Sequence, residues 1–267
     1  MSCPLLVTCE WLQERLVKKD RPDVVVIDVS WSSTRDCQQD YLLQRIPSAQ
    51  YVNVLDAKHS DVYPRAVPDA QVFAEHARRA GVNPSSHVVI YSNTEKAGYF
   101  LSGRGCWTFK YFGHDNVSIL DGGLQRWLQL GYPTASGEEV TKPGSFKPVV
   151  NDQFRVPYES VRENQEKCSF QLVDTRPAKA FAESQIPGAV NLDMGNLIDE
   201  EKGIMKSPEE IRKLFSDVGI DLKGHVVTHC NSGMSSCTVA MAALLVGATN
   251  VGLFHGGLNE WKKRENK

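Results

Sequence analysis

Short runs of apolar, mostly β-branched residues alternate along the chain with longer stretches in which apolar positions recur every three or four residues. The runs predict buried strands, and the stretches predict amphipathic helices. Strands that are apolar throughout and separated by helices are typical of a parallel sheet covered on both faces. The pattern therefore predicts an α/β fold. The predicted strands are residues 24–28, 88–92, 172–174, 226–228 and 251–254, and the predicted helices are residues 69–80 and 207–218.

The second of these helices starts with a specific signal. The sequence SPEE places Ser207 at the N-cap, proline at the first helical position and glutamate at the third. In this arrangement the serine side chain and the glutamate side chain each satisfy a backbone N–H group of the first turn. The sequence therefore predicts a capping box at Ser207.

The same series of segments occurs twice in the chain. NVSILDGGLQRW at residues 116–127 resembles NVGLFHGGLNEW at residues 250–261, and three further pairs match in the same order. Four collinear matches indicate two copies of one domain, each a small, mostly parallel sheet with helices on both faces. The further pairs are residues 24–31 with 170–176, 45–54 with 185–193, and 87–93 with 225–231.

A stretch rich in glycine, proline and charged residues lies between the two copies, which is typical of a linker. We predict a first domain at residues 1–140, a linker at 141–156 and a second domain at 157–267. Because two copies can bury one another's apolar faces, we expect the protein to be a monomer.

Composition narrows the possible functions. The chain has 267 residues, of which 41% are hydrophobic, and a net charge of −2. A nucleic-acid-binding protein would carry a basic patch or stripe, whereas the cationic cluster at residues 262–264 is typical of a solvated face. The longest apolar run, residues 239–248, is too short to cross a bilayer. We therefore expect neither nucleic acid nor a membrane among the partners.

Seven cysteines are scattered along the chain without a CxxC pair. Disulfide frameworks and zinc sites need closer, paired spacing, so the pattern predicts reduced thiols and no metal. Reduced thiols favour a reducing compartment. The first residues include Glu10 and lack the basic cluster of a secretory signal, so we expect a cytosolic protein, with a mitochondrial fraction left open.

One cysteine stands where an apolar strand ends and an apolar helix is about to begin. Cys230 follows the strand at 226–228, and small polar residues separate it from a helix that starts near Ser235. Ligands of α/β sheets bind at the carboxyl ends of the strands. Gly233 can adopt a positive φ, which lets the backbone curl so that its N–H groups converge with the helix N-terminus. Such a cradle stabilises an anion and lowers the pKa of a thiol.

We therefore predict Cys230 as a nucleophile and the residues after it as an anion-binding and substrate-binding cradle. Chemistry of this kind needs no metal or organic cofactor, because the cradle itself stabilises the negative charge. The cradle comprises Asn231, Ser232, Gly233, Met234, Ser235 and Ser236.

The simpler interpretation of Cys230 is a small buried hydrophobic residue. Its position at a strand end, before a glycine-containing loop, favours the nucleophile. The first copy has Ser92 at the equivalent position, so one copy carries the thiol and the other does not. Cys237, two helical turns beyond Cys230, is more typical of a core thiol than of a resolving thiol. His229 points to the opposite face of the strand, which predicts a packed residue rather than a general base.

Five motifs of the chain occur together: HVVIYSN, GHDNVSILDGGLQRWLQLGYP, IPGAVNL, KSPEEIRKLF and the loop CNSGMSS. With them the chain resembles the tandem-domain rhodanese family of sulfurtransferases over nearly its whole length. The resemblance implies that Cys230 takes a sulfane sulfur from a small donor, 3-mercaptopyruvate or thiosulfate, and holds it as a persulfide. It implies a thiol, cyanide or a reduced thioredoxin-like protein as acceptor. The small Ser232 resembles the loop of the mercaptopyruvate branch, because the thiosulfate branch typically has charged residues in this loop.

The chain departs from this family where the donor is handled. Mercaptopyruvate enzymes usually carry an aspartate and a histidine in the first domain, where this chain has Asn53 and Arg65, so their proton relay is not carried over. The donor-binding arginine of the second domain is replaced by Ala180. Lys179 beside it becomes a candidate donor contact.

Three further residues match family positions near the active site. The match implies a substrate-binding role for Arg104, with a surface salt bridge as the open alternative. Trp31 is more typical of core or interface packing. Arg176 matches the arginine of the family's DxR motif, and we expect it to pair with Asp174 or a neighbour and hold the fold.

Two other functions compete with sulfur transfer. A Cys-x5-Arg phosphatase or arsenate reductase uses a related loop, but its arginine clamp would fall at Ser236, which excludes it. The remaining alternative is a non-catalytic rhodanese-like module that binds or regulates a partner. The departures at Asn53, Arg65 and Ala180 favour this alternative, and the intact Cys230 loop opposes it.

Overall fold

The computed structural model of the protein describes residues 3–18, 23–94 and 96–265. The chain forms two compact units, and a segment from the first half of the sequence, residues 57–66, belongs to the second unit. Unit 1 comprises Met1–Asp56, Val67–Val150 and Glu200–Ile204, and unit 2 comprises Ala57–Ala66, Asn151–Asp199 and Met205–Lys267.

Unit 1 is built on a parallel five-stranded sheet. Its strands are Leu6–Val7 (β1), Val24–Asp28 (β2), Gln50–Tyr51 (β3), His87–Tyr91 (β4) and Val117–Leu120 (β5), and its helices are Cys9–Lys18 (α1), Cys37–Leu43 (α2), Ala70–Arg79 (α3), Tyr99–Tyr111 (α4) and Gly123–Gln129 (α5). The strands follow the order β1-β5-β4-β2-β3. The central strand β4 is buried at every residue, as a sheet covered on both faces requires.

Helix α3 illustrates how the pattern specifies the elements of this unit. The carboxylate of Asp69 accepts a hydrogen bond from the N–H of Gln71 at 2.8 Å and caps the helix. Phe73, Ala74 and Ala77 share one face and are buried against the unit. The helix therefore begins and ends within one residue of the prediction.

The strands and helices of the second half follow the same order. The strands are Gln171–Asp174 (β6), Ala189–Asn191 (β7), Ile198–Asp199 (β8), Ile204–Met205 (β9), Val226–His229 (β10) and Val251–Leu253 (β11), and the helices are Tyr158–Lys167 (α6), Ala178–Glu183 (α7), Pro208–Asp217 (α8), Ser235–Leu245 (α9) and Gly257–Glu265 (α10). Four strands form a parallel sheet in the order β11-β10-β6-β7, and β8 pairs with β9 separately. This order repeats β5-β4-β2-β3 of unit 1, which confirms the predicted α/β fold in two copies.

The capping box of α8 is present. The hydroxyl of Ser207 accepts a hydrogen bond from the N–H of Glu210 at 3.3 Å, and the carboxylate of Glu210 accepts one from the N–H of Ser207 at 2.9 Å. Two backbone donors of the first turn are thus satisfied by the two side chains that the sequence predicts.

Helix α9 is enclosed by unit 2 on most of its surface. Eight of its eleven residues are buried, which explains why the sequence is apolar on every side of the helix. Within the described ranges no helix is both long and apolar enough to span a membrane.

The predicted linker, residues 141–156, contains the change from unit 1 to unit 2, which follows Val150. Phe146 in its first half is buried, and its ring packs edge to face on Phe73 with centroids 5.8 Å apart. The N–H of Phe146 also donates to the carbonyl of Val82 at 3.0 Å. This part of the chain is therefore packed onto unit 1, although it forms neither helix nor strand.

Candidate active site

The Cys230 loop lies at the carboxyl end of a central strand of unit 2. Strand β10 pairs with β6 on one side and β11 on the other, and Cys230 is the first residue after it. Helix α9 begins at Ser235, as the sequence predicts. Gly233 has a φ of +72°, and a Cβ at this position would lie 2.6 Å from the ring of His255. The turn therefore requires glycine for its backbone angle and for space.

The thiol of Cys230 is buried and surrounded by hydrogen-bond donors. The N–H of Met234 donates to Sγ at 3.2 Å, and the hydroxyl of Ser236 donates at 3.5 Å. Burial alone raises the pKa of this thiol, but these bonds and those from the N–H groups of Ser236 and Ser232 outweigh it, so the pKa lies below the ordinary value. Cys230 is therefore more ionised near neutral pH than an ordinary cysteine.

Two backbone hydrogen bonds hold the Cys230 loop to the start of α10. The N–H of Leu258 donates to the carbonyl of Cys230 at 2.8 Å, and the N–H of Asn259 donates to the carbonyl of Asn231 at 3.2 Å. The first N–H groups of a helix have no partner within the helix, and here loop carbonyls satisfy them. A Cβ at Gly257 would lie 2.2 Å from the carbonyl oxygen of Cys230, so this close approach depends on glycine.

The first copy keeps this backbone contact without the thiol. A Cβ at Gly123, at the start of α5, would lie 2.8 Å from the carbonyl oxygen of Ser92. The hydroxyl of Ser92 is buried and lies 2.7 Å from the hydroxyl of Thr94. Helix α4 begins at Tyr99, seven residues after Ser92, whereas α9 begins five residues after Cys230. Glu95 of this longer loop lies outside the described residues.

A buried cluster of polar side chains lies beside the Cys230 loop. The guanidinium of Arg176 donates three hydrogen bonds to the carboxylate of Asp174 at 2.6–3.1 Å, so the predicted pair is present. Its Nη1 also donates to Oδ1 of Asn231 at 3.5 Å. His229 is fully buried with Nε2 3.7 Å from Asp174, and burial lowers its pKa. A neutral, packed histidine agrees with the interpretation of His229 as a strand residue rather than a base.

The six predicted cradle residues lie together around the thiol but differ in exposure. Solvent reaches the loop on the side of Asn231, which is exposed, whereas Met234 is buried with the thiol. The remaining members are half-buried at Ser232 and Ser235 and buried at Gly233 and Ser236.

The other candidate residues lie outside the cradle. Lys179 is exposed near the start of α7 in unit 2. Arg104 belongs to α4 of unit 1, is completely buried, and holds its guanidinium 5.4 Å from the ring centroid of Trp107. Complete burial contradicts the surface position considered for Arg104, and its substrate-binding role stays a prediction. Cys237 is fully buried and its Sγ donates to the carbonyl of Gly233, as expected of a core thiol.

Trp31 and Asn53 line a polar cavity of about 520 Å³ in unit 1. Its other walls include Arg35, Cys37 and His76. In the described part of the chain, no group of three or more His, Cys, Asp or Glu side chains is arranged to hold a metal ion.

Sequence reasoning missed His255 as part of the site. Its ring lies against Gly233, and its Nε2 lies 3.0 Å from the carbonyl oxygen of Arg65. The ring also stacks on that of Tyr63, with centroids 6.0 Å apart and an angle of 21° between the planes. The one signal in the sequence is that His255 stands where the first copy has Asp121, but its partner at Arg65 is 190 residues away.

Comparison with known proteins agrees with this architecture. The model of the Rhodanese-like domain family matches residues 8–130 and 158–264. Human 3-mercaptopyruvate sulfurtransferase is 34% identical over an alignment that covers 98% of this chain and 93% of the human protein. Thiosulfate sulfurtransferase of Rattus norvegicus is 33% identical, with 97% and 92% covered. The crystal structure of the 3-mercaptopyruvate sulfotransferase SseA from Escherichia coli, 27% identical, superposes with a TM-score of 0.85 over 96% of this chain and 99% of that one.

The family model matches each half of the chain separately, and the relatives align over nearly its whole length. The structure shows the same strand order in both halves. The chain therefore belongs to the rhodanese family and carries two rhodanese-like domains in tandem.

Proposed function

We propose that the protein is a sulfurtransferase that carries a sulfane sulfur on Cys230. The observation that supports this most directly is the pair of hydrogen bonds that Sγ of Cys230 receives from the N–H of Met234 and the hydroxyl of Ser236, which lower the pKa of this thiol. The thiolate is the nucleophilic form of cysteine, and a covalent intermediate divides the transfer into two easier steps. The relatives that match the chain over nearly its full length carry the name sulfurtransferase, which supports the same activity.

The proposed reaction balances without a cofactor. The Cys230 thiolate attacks the terminal sulfur of thiosulfate, the S–S bond of the donor breaks with its electron pair on sulfite, and the persulfide anion forms. With 3-mercaptopyruvate the C–S bond breaks instead, and the carbon fragment takes the proton of the donor thiol to leave as pyruvate. The N–H groups that face Sγ would then stabilise the persulfide anion, which is the charge present after transfer.

The donor and the acceptor are the finer part of the proposal. Relatives named for mercaptopyruvate and for thiosulfate are equally similar to this chain, at 34% and 33% identity. Ser232 and the uncharged loop favour 3-mercaptopyruvate as the donor. As acceptor we propose a small thiol or a reduced thioredoxin-like protein, with cyanide as a laboratory substitute.

The proposal also includes the donor contacts, the cellular compartment and the oligomeric state of the protein. Lys179 and Arg104 remain candidate donor contacts. All seven cysteines are free thiols, which favours a reducing compartment, the cytosol with or without a mitochondrial fraction. We also propose that the protein acts as a monomer.

The test is an intact-mass measurement after brief incubation with 3-mercaptopyruvate and, in parallel, with thiosulfate. Wild type should gain the mass of one sulfur atom, and Cys230→Ser should gain none. Cys168→Ser removes an exposed thiol of the same unit and should behave as wild type, since Cys168 lies outside the cradle. The donor that gives the larger mass gain then identifies the protein as a mercaptopyruvate or a thiosulfate sulfurtransferase.

No gain with either donor, while an alkylating reagent still modifies Cys230, would contradict the sulfurtransferase. That result would support the non-catalytic module, for which the residues at Asn53, Arg65 and Ala180 already argue.

A further inference from the structure

Both proposed donors are anions, and the Cys230 cradle itself offers them no charged side chain. Residues 231–236 are all uncharged. A buried cation beside the loop, Arg176, donates three hydrogen bonds to Asp174, so the carboxylate compensates its charge. A cation outside the cradle would therefore strengthen the binding of a donor that has a carboxylate or sulfonate group.

Residues 57–66 bring the side chain of Arg65 into unit 2. Side chains hold this segment to His255, two residues before α10, and to Glu260 within α10. The Nε2 of His255 lies 3.0 Å from the carbonyl oxygen of Arg65, and the ring of Tyr63 stacks on the ring of His255. The Tyr63 hydroxyl hydrogen-bonds the buried carboxylate of Glu260, which together with the larger effect of burial raises the pKa of Tyr63 to about 12.

Hydrogen bonds within residues 57–66 also fix the backbone of this segment next to Arg65. The N–H of Ser60 donates to the carbonyl of Tyr63, and the N–H of Tyr63 donates to the hydroxyl of Ser60, both at 3.1 Å. The N–H of Ala66 donates to Nδ1 of His59 at 3.3 Å. A backbone fixed in this way lowers the entropy lost when its side chain binds a ligand.

His255 connects this segment directly to the cradle. One part of its ring meets the carbonyl of Arg65, and its Cδ2 packs so closely on Gly233 that a Cβ there would lie 2.6 Å away. The backbone of Arg65 is therefore one imidazole ring away from the loop that holds the thiol. Its side chain is half-buried, with Nη1 donating to the carbonyl of Pro64 at 2.9 Å.

We propose that Arg65 binds the anionic end of the sulfur donor and that His255 positions it for this role. The proposal deepens the sulfurtransferase function and rests on it. Arginine suits the task because its planar guanidinium binds a carboxylate or sulfonate through two parallel hydrogen bonds. The chain thus has a cation for a small anionic donor although Ala180 provides none.

Alkylation of Cys230 tests this assignment without any sulfur donor. Iodoacetate and iodoacetamide have nearly the same size and differ by one negative charge, so the ratio of their rates reports the positive charge near Sγ. The rates are followed on the Cys230 peptide by mass spectrometry. Arg65→Gln should lower the iodoacetate-to-iodoacetamide ratio by about threefold to tenfold, the effect expected of one charge within several ångströms of Sγ in water-like surroundings.

Three further variants make the result specific. Arg65→Lys keeps the charge and should keep most of the ratio. Lys213→Gln removes the same charge from the exposed face of α8, where Lys213 pairs with Asp217, and should leave the ratio at the wild-type value. His255→Gln should lower the ratio in the same direction as Arg65→Gln, because it removes the imidazole that positions the segment.

The proposal is overturned if Arg65→Gln keeps the wild-type rate ratio. If Lys179→Gln lowers the ratio instead, Lys179 rather than Arg65 is the cation near Sγ. An equal fall in Arg65→Gln and Arg65→Lys would also overturn it, since charge would not be the cause. An iodoacetamide rate that stays at the wild-type value, at a pH where Cys230 is fully ionised, shows that the loop is intact in each variant. With an active donor, Arg65→Gln should raise KM with little change in kcat. A chain that accepts sulfur from neither donor would refute the sulfurtransferase, and the alkylation ratio would still test Arg65.

Discussion

The reactivity of Cys230 depends on a balance between two effects at one sulfur atom. Burial disfavours the thiolate, and hydrogen bonds from the loop favour it. The bond from Ser236 is the one contributed by a side chain, so it can be removed by mutation without altering the backbone. Removal of the Ser236 hydroxyl therefore tests this balance.

Ser236→Ala should raise the pKa of Cys230. The pKa of this thiol lies below its ordinary value, so its alkylation by iodoacetamide should show an inflection below the pH at which a free cysteine ionises. Loss of a hydrogen bond to a charged group should move the inflection to higher pH and slow the reaction at pH 7 by about fivefold to tenfold. The measurement is the alkylation rate of the Cys230 peptide as a function of pH.

Ser232→Ala is the matched control for this profile. Ser232 contributes through its backbone N–H, which the substitution keeps, so the inflection should stay where it is in wild type. An equal shift in both variants would mean that a general loosening of the loop, rather than the Ser236 hydroxyl, sets the pKa.

The sequence predicts a residue's role where that role depends only on neighbours a few positions away in the chain. Cys230, Gly233 and the start of α9 follow from one short stretch, since a strand end, a glycine and a helix start specify a cradle locally. His255 could not be predicted, because its partners are Gly233 and Arg65, which come from distant parts of the chain. A pattern of apolar positions contains no information on such pairs.

At the scale of elements, two of the differences between prediction and structure have the same physical cause. Strand β2 matches its predicted limits, whereas β4 begins one residue early, at His87, and β10 extends to His229. Each of these histidines is a buried polar residue with a partner across the sheet: Nε2 of His87 lies 2.7 Å from the hydroxyl of Ser118, and His229 faces Asp174. Apolar periodicity ends at a polar residue, but the strand continues where a polar partner is present.

Gly257→Ala should disrupt the site through an element rather than through the thiol. A Cβ at residue 257 would meet the carbonyl oxygen of Cys230 at 2.2 Å, so the start of α10 and the loop would have to separate. We expect a stability loss of more than about 2 kcal/mol, from the clash and the positive φ together, and loss of most Cys230 alkylation. Hydrogen exchange of unit 2 and the alkylation rate measure the two effects.

Gly219→Ala separates the clash from the backbone strain. Gly219 also has a positive φ, of +78°, but a Cβ there would have no neighbour within 4 Å. This variant should cost about 1 kcal/mol and leave the alkylation rate of Cys230 unchanged. If the two glycine variants behaved alike, the close approach of α10 to the loop would have no role in holding the thiol.

At the scale of the whole molecule, one fold occurs twice and the nucleophile once. Both copies keep the strand order and the glycine that lets a helix start approach the loop. The copies differ in the loop itself, because the helix begins seven residues after Ser92 and five after Cys230. The loop donors differ as well: the N–H of Asn93 donates to the hydroxyl of Ser30 at 2.7 Å. We therefore expect the sulfur chemistry to depend on the length of the loop and on the direction of its N–H groups, and not on the fold alone.

Ser92→Cys in the Cys230→Ser background tests this conclusion directly. The fold supplies the new thiol with the same strand end, but its loop is longer, with a short 3₁₀ helix at Lys96–Gly98 before α4, and the N–H of Asn93 is already bonded to Ser30. We expect less than about a tenth of the wild-type mass gain after incubation with either donor, since a thiol that receives fewer N–H hydrogen bonds has a higher pKa. Alkylation of the unfolded protein verifies that the thiol is present. Sulfur uptake at the wild-type level would mean that the strand end alone is sufficient, and that the five-residue spacing after Cys230 is not what makes the second copy reactive.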